Sequence, residues 1–353
     1  MRTKSVTILC LALVFFSCNK DKNTGQGTGY RPTPYVLDLP AGFPKMPIPA
    51  DNPLTVEGVE LGRHLFYEKR LSGNNTLACA GCHAPNLAFS DSRTFSKGID
   101  GIEGNRHSMV LQNLAWSPTF LWDGAAKSIE EQVFEPVTNP IEMHETWKNA
   151  VSKLTQDAKY QTMFYKAFGT TRIDSTLVSK AIAQFLRTLV SSNSKFDKWL
   201  RGEVTLTPSE LEGFNLFNAL DGADCFHCHA VNAHFSDFSF HNNGLDENPT
   251  DIGRAKVTNN ATDIGKFKVP SLRNLEFSAP YMHDGRFATL DEVIDFYSEG
   301  VHHNSPNISP LMEFSFQGGV ALNTSEKAAL KAFLLTLSDP DFINNPNFQD
   351  PNK

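Results

Sequence analysis

Four cysteines and two histidines carry the most specific chemistry in this chain. They form two identical spacings, Cys79-Ala80-Gly81-Cys82-His83 and Cys225-Phe226-His227-Cys228-His229. Both read C-x-x-C-H, the pattern by which haem c is attached. Two thiols three residues apart on one helical turn reach the two vinyl groups of a porphyrin edge, and the next residue turns its imidazole under the ring toward iron. A zinc ribbon is excluded by spacing: its cysteine pairs lie ~15–20 residues apart, whereas Cys82 and Cys225 are separated by 143 positions. A disulfide in each pair would need no histidine after it. The remaining cysteines, Cys10 and Cys18, lie near the N-terminus.

The elements that must hold these residues are themselves duplicated. Residues 111–124 read LQNLAWSPTFLWDG and residues 272–285 read LRNLEFSAPYMHDG, an offset of 161 that continues to Glu131 and Glu292. A Gly-x-x-Leu-Phe element precedes each haem motif, from Gly62 to Phe66 and from Gly213 to Phe217. So long a period marks a duplicated domain, not a solenoid. Helical signals dominate. Leu177, Ile182, Phe185 and Leu189 recur at helical spacing. Thr207-Pro208-Ser209-Glu210 is a capping box with proline at the first helical position, opening a helix to Leu220. Thr324 or Ser325 is the expected cap of a last helix with Leu330, Phe333, Leu334 and Leu337 on one face. The expected fold is all-α, with two cytochrome c-like domains, each carrying one haem c.

Composition suits this. Of 353 residues, 20% are charged and 40% hydrophobic, and Phe is heavily used at 27. The formal net charge is −7, with no basic block, which excludes a nucleic-acid groove. Arg2 and Lys4, the apolar run Val6 to Phe16, then Ser17 and Cys18 read as an export signal ending at a lipidated cysteine. Its loss takes the basic residues from 32 to 30 against 39 acidic, a net −9. The expected order is a lipoprotein signal peptide over 1–17, a flexible Gly- and Pro-containing tether over 18–35, one domain over 36–200 and another over 201–353. The protein would then sit, lipid-anchored, on the periplasmic side of a bacterial membrane.

With these motifs in hand, the chain resembles the bacterial dihaem cytochrome c peroxidase family, including its MauG-type and MbnH-type branch, across roughly residues 40–340. The resemblance rests on the two C-x-x-C-H motifs, Phe120-Leu121-Trp122-Asp123-Gly124, Pro140-Ile141-Glu142-Met143, and Val269-Pro270-Ser271-Leu272-Arg273-Asn274 running into Ala279-Pro280-Tyr281-Met282-His283-Asp284-Gly285. It implies a peroxidatic N-terminal haem and an electron-transfer C-terminal haem. His83 and His229 match the proximal iron ligands, and Trp122 a tryptophan that relays electrons between haems. Glu142 matches a distal carboxylate that moves a proton between the two oxygens of hydrogen peroxide.

Three departures from the family pattern shape the expectation. No histidine lies between His83 and His107, so the histidine that plugs the peroxidatic iron of reductively activated members is missing and an open site is expected. The family's calcium site uses an Asn after an Arg plus two carbonyls. Arg106, Ser278 and Pro280 match, but His107 replaces the Asn, and calcium prefers oxygen. A water-mediated site remains open. At the sixth position of the second iron, where ordinary members place methionine, the alignment gives Tyr297, as in MauG-type enzymes. Haem chemistry alone would favour Met282. A phenolate favours oxidised iron, which suits storing oxidising equivalents. Three functions survive: peroxide-driven oxidation of tryptophan in a partner protein, peroxide removal fed by a small cytochrome or cupredoxin, and electron transfer without catalysis. Glu142 and the missing plug argue against the last, and Tyr297 favours the first.

Overall fold

The computed structural model describes residues 30–353. The signal peptide, Cys18 and most of the tether lie outside the described residues. Eleven helices follow one another among them: α1 (Val56–Phe66), α2 (Ile129–Thr138), α3 (Trp147–Thr155), α4 (Ala158–Phe168), α5 (Ser175–Thr188), α6 (Lys195–Leu200), α7 (Pro208–Asn218), α8 (Ala255–Thr258), α9 (Leu290–Glu299), α10 (Thr324–Leu335) and α11 (Pro340–Ile343). The only sheet among the described residues pairs β1 (Phe240–His241) with β2 (Phe267–Lys268), antiparallel, in the segment after the second haem motif. None of these helices is long and apolar enough to cross a membrane.

Each half is built on one helix pair, α1 against α5 and α7 against α10. A glycine sets the closeness of both. A Cβ on Gly62 would lie 1.9 Å from the Ala181 carbonyl oxygen, and one on Gly213 would lie 1.9 Å from that of Ala329. The Gly-x-x-Leu-Phe element therefore marks a helix crossing, with Leu65, Phe66 and Phe217 buried beside it. The capping box at Thr207 forms as expected, and α7 stops two residues before Leu220. Asn323, not Thr324 or Ser325, caps α10, because its carboxamide reaches the Ser325 and Glu326 N–H groups.

The duplication is visible residue by residue. α2 and α9 each run ten residues and begin 161 positions apart, capped by Ser128 and Thr289. Asn113 and Asn274 both take left-handed backbone, as do Leu121 and Met282, and Gly124 and Gly285. Two boundaries differ from expectation. Residues 33–35 are already fastened: the Thr33 N–H donates to Glu57 and the Tyr35 N–H to the Leu54 carbonyl. At the other end the chain leaves the second half. Phe342 and Phe348 pack on Phe89 in the first core, and Arg63 and Tyr67 donate to the carbonyls of Gln349 and Phe348.

Candidate haem sites and the seam between them

Both C-x-x-C-H motifs fold alike, as one 3-10 turn over Cys79–Gly81 and another over Cys225–His227. The imidazole that follows is held by the chain just beyond it. The His83 Nδ1–H donates to the Phe89 carbonyl at 2.9 Å and the His229 Nδ1–H to the Phe235 carbonyl at 3.0 Å. With the proton fixed on Nδ1, each Nε2 keeps its lone pair for a metal. Burial lowers the basicity of both rings, which favours the neutral imidazole that a metal needs. The four motif cysteines form no disulfide. Burial pushes the thiols of Cys79, Cys225 and Cys228 up to about 12 and raises that of Cys82. Among the described residues no cluster of three or more His, Cys, Asp and Glu side chains could hold a bare metal ion. The residues present therefore fit haem c, anchored by thiols and one imidazole per iron.

In the second half an elongated apolar cavity opens beside Cys225, Cys228 and His229, and its walls include Leu272, Leu290, Ile294 and Leu330. Tyr297 and Met282 both line it, so the structure brings both rival ligands to one place. They differ in their partner. The Asn243 amide donates to the Tyr297 hydroxyl oxygen at 2.9 Å, but lies 3.9 Å from the Met282 sulfur. Burial holds the phenol well above its ordinary pKa, and the Asn243 bond opposes this. An amide donor on a phenol oxygen stabilises a phenolate. Asn243 was not foreseen; only its place in the loop around the haem motif could have pointed to it.

In the first half Glu142 sits close enough to Cys79 and Cys82 for its charge to raise both thiols. Its own pKa is pushed up to about 7, first by burial and then by the charge of Glu135, against a 3.0 Å bond donated by the Asn139 amide. Its backbone is clamped: the Glu142 carbonyl accepts from Ile99 N–H at 2.9 Å, and a Cβ on Gly98 would meet the Ile141 carbonyl at 2.1 Å. A carboxyl titrating near neutrality is suited to taking up and returning a proton. The neighbouring histidines are engaged elsewhere. His144 is exposed and bonds Asp100, and His107 is buried in the seam.

Trp122 lines the second cavity from the seam. Its indole N–H donates to the His107 carbonyl at 2.8 Å, and its ring meets that of His283 edge-on at 6.4 Å. His283 in turn stacks on Phe267 at 3.7 Å. Asp123 is fixed by Arg106 at 2.6 Å, and Arg106 also pairs with Asp251 at 2.7 Å, which ties the Trp122 turn to the second half. Of the expected calcium residues, His107 is already engaged by its own half: its ring bonds the carbonyls of Arg93 and Thr94, at 3.2 and 3.3 Å, and lies 3.1 Å from the Ser90 hydroxyl.

Residues 56–205 match the family model described as di-haem cytochrome c peroxidase. The methylamine utilization protein MauG of Methylophilus methylotrophus is 38% identical over 296 residues, covering 83% of this chain and 85% of that protein. The cytochrome c551 peroxidase of Nitrosomonas europaea is 35% identical over 312 residues, covering 86% and 87%. Among solved structures, a MauG-like protein associated with microbial copper homeostasis superposes with a TM-score of 0.83 at 37% identity, covering 90% of this chain and all of that one.

Proposed function

The chain belongs to the di-haem cytochrome c peroxidase family, a family of haem oxidoreductases, and from that premise we propose that it uses hydrogen peroxide to oxidise tryptophan in a partner protein. When bound, haem supplies the iron that takes electrons from substrate to peroxide. The chain's own residues divide the remaining work. His83 and His229 present Nε2 to iron, and the four thiols fix the porphyrin edges. Glu142 takes the proton from the incoming peroxide oxygen and returns it to the leaving one. Trp122, bonded across the seam, carries electrons between the halves.

The observation that carries the protein-oxidation branch is the Asn243 amide aimed at the Tyr297 oxygen in the second cavity. An anionic oxygen there disfavours the reduced iron, so this half holds oxidising equivalents instead of feeding electrons forward. Export and lipid anchoring at Cys18 complete the proposal and rest on residues 1–18.

The test compares Tyr297→Phe with Met282→Leu in the haem-loaded protein. Tyr297→Phe should change the EPR signature of the second haem and raise its potential, while Met282→Leu leaves both alone. In the unmodified protein, the oxidised state formed with peroxide should be long-lived and decay faster when a tryptophan-bearing partner is added. If Met282→Leu abolishes the low-spin signal and a reduced small cytochrome or cupredoxin is turned over briskly, the protein is an electron-fed, peroxide-removing enzyme.

A further inference from the structure

The two halves meet along a seam with its own internal twofold relation. At the 161-residue offset, position 107 corresponds to 268, 117 to 278, 119 to 280 and 122 to 283. The main chain obeys the correspondence. The His107 N–H donates to the His283 carbonyl at 2.7 Å, and the Lys268 N–H donates to the Trp122 carbonyl at 2.8 Å. Residues 107 and 268 therefore each run beside the turn of the opposite half; the Lys268 side chain crosses to it, whereas the His107 ring turns back into its own half.

Lys268 is 5% exposed. Its ammonium donates to the Thr119 carbonyl at 2.5 Å and to the Ser117 hydroxyl, both in the other half. Among the described residues no carboxylate pairs with it; the rings of Phe120 and Phe238 lie 5.6 Å away. A positive charge is thus held by neutral oxygens and ring faces, much as a hard cation is held by carbonyls. His107, also 5% exposed, occupies the equivalent position on the other side. Its Nδ1 faces the carbonyls of Arg93 and Thr94, which accept only, so it must carry a proton that points into them. Its Nε2 lies 3.1 Å from the Ser90 hydroxyl, also in the first half.

We infer that nitrogen side chains fill both pockets of the seam, Lys268 handed across from the second half and His107 held within the first, and that this chain joins its halves without calcium. Calcium needs six to eight oxygen ligands. Here the expected side-chain oxygen is missing: position 107 carries an imidazole whose two nitrogens are already taken by the Arg93 and Thr94 carbonyls and the Ser90 hydroxyl, where an Asn oxygen would attract a cation.

The experiment uses the haem-loaded protein. Purified in calcium-free buffer, it should contain far less than one calcium per chain by mass spectrometry. Its Tm and EPR spectrum should be the same in EGTA and in excess calcium. His107→Asn removes the ring and supplies an oxygen, so this variant should gain a calcium-dependent rise in Tm of roughly 5 °C at calcium well above its Kd, reversed by EGTA. One calcium per wild-type chain, or a wild-type Tm that falls in EGTA, overturns the inference. So does a folded His107→Asn protein whose Tm ignores calcium. The wild-type measurements decide the matter even where the variant fails to fold.

Discussion

A glutamate near the surface is ordinarily ionised at neutral pH; Glu142 is ionised only in part, because burial and the charge of Glu135 hold its pKa up to about 7. The carboxylate must accept a proton from peroxide, so the bimolecular rate of haem oxidation should rise with pH through about 7. Glu142→Gln should remove that rise and slow the step by ~10²–10⁴-fold, read by stopped-flow absorbance. The sign for stability is opposite. A folded-state pKa above the unfolded value means that the native protein binds more protons between about pH 4.5 and 7. Stability is therefore lost across that window as pH rises, and Glu142→Gln should flatten the loss in urea titrations. The type of this residue was legible in the sequence only through its Pro-Ile-Glu-Met setting. Its pKa was not, because Glu135 and Asn139 act on it through α2 and the turn after it.

Among the elements, the helix crossings were half legible. The repeated Gly-x-x-Leu-Phe announced a shared element, and the structure gives its reason: the main chain of α5 or α10 passes where a Cβ would stand. Gly62→Ala should therefore force α1 from α5 and cost about 1–3 kcal/mol or more by denaturant unfolding, whereas Gly42→Ala, with open space around it, should cost far less and only through its positive φ. Lys268→Met tests the seam in the same way. It leaves the Ser117 hydroxyl oxygen without its donor and the Thr119 carbonyl with the Ser117 hydroxyl alone, and should cost about 1–3 kcal/mol. The seam contacts were hidden from a reading of the sequence. The 161-residue repeat paired Ser117 with Ser278, but nothing in a linear pattern says that Lys268 reaches across to the other copy. Haem chemistry alone favours Met282 over Tyr297 for a similar reason: Asn243, which sets the two apart, arrives from a loop whose path no periodicity describes.

For the whole molecule, the duplicated order of helix, haem motif, turn and helix could be read directly, because both copies kept the residues that force left-handed turns and caps. The end of the chain could not. Phe342 and Phe348 look like part of the second half by position, yet both are buried in the first core. Ending the chain after Asp339 should remove about 3–6 kcal/mol of apolar burial, at about 1.5–3 kcal/mol per ring. Melting of the first half should fall while the second half's haem absorbance is unaffected, which calorimetry with absorbance at two wavelengths resolves. Changing Cys225 and Cys228 together to alanine should separately leave one covalent haem per chain on a denaturing gel. The returning tail also makes one half answerable to the other. Phe89 is the residue whose carbonyl orients His83, and the rings that cover Phe89 arrive from beyond the last core helix of the second half. The posture of the first candidate iron ligand therefore depends on a segment that the first half does not itself supply.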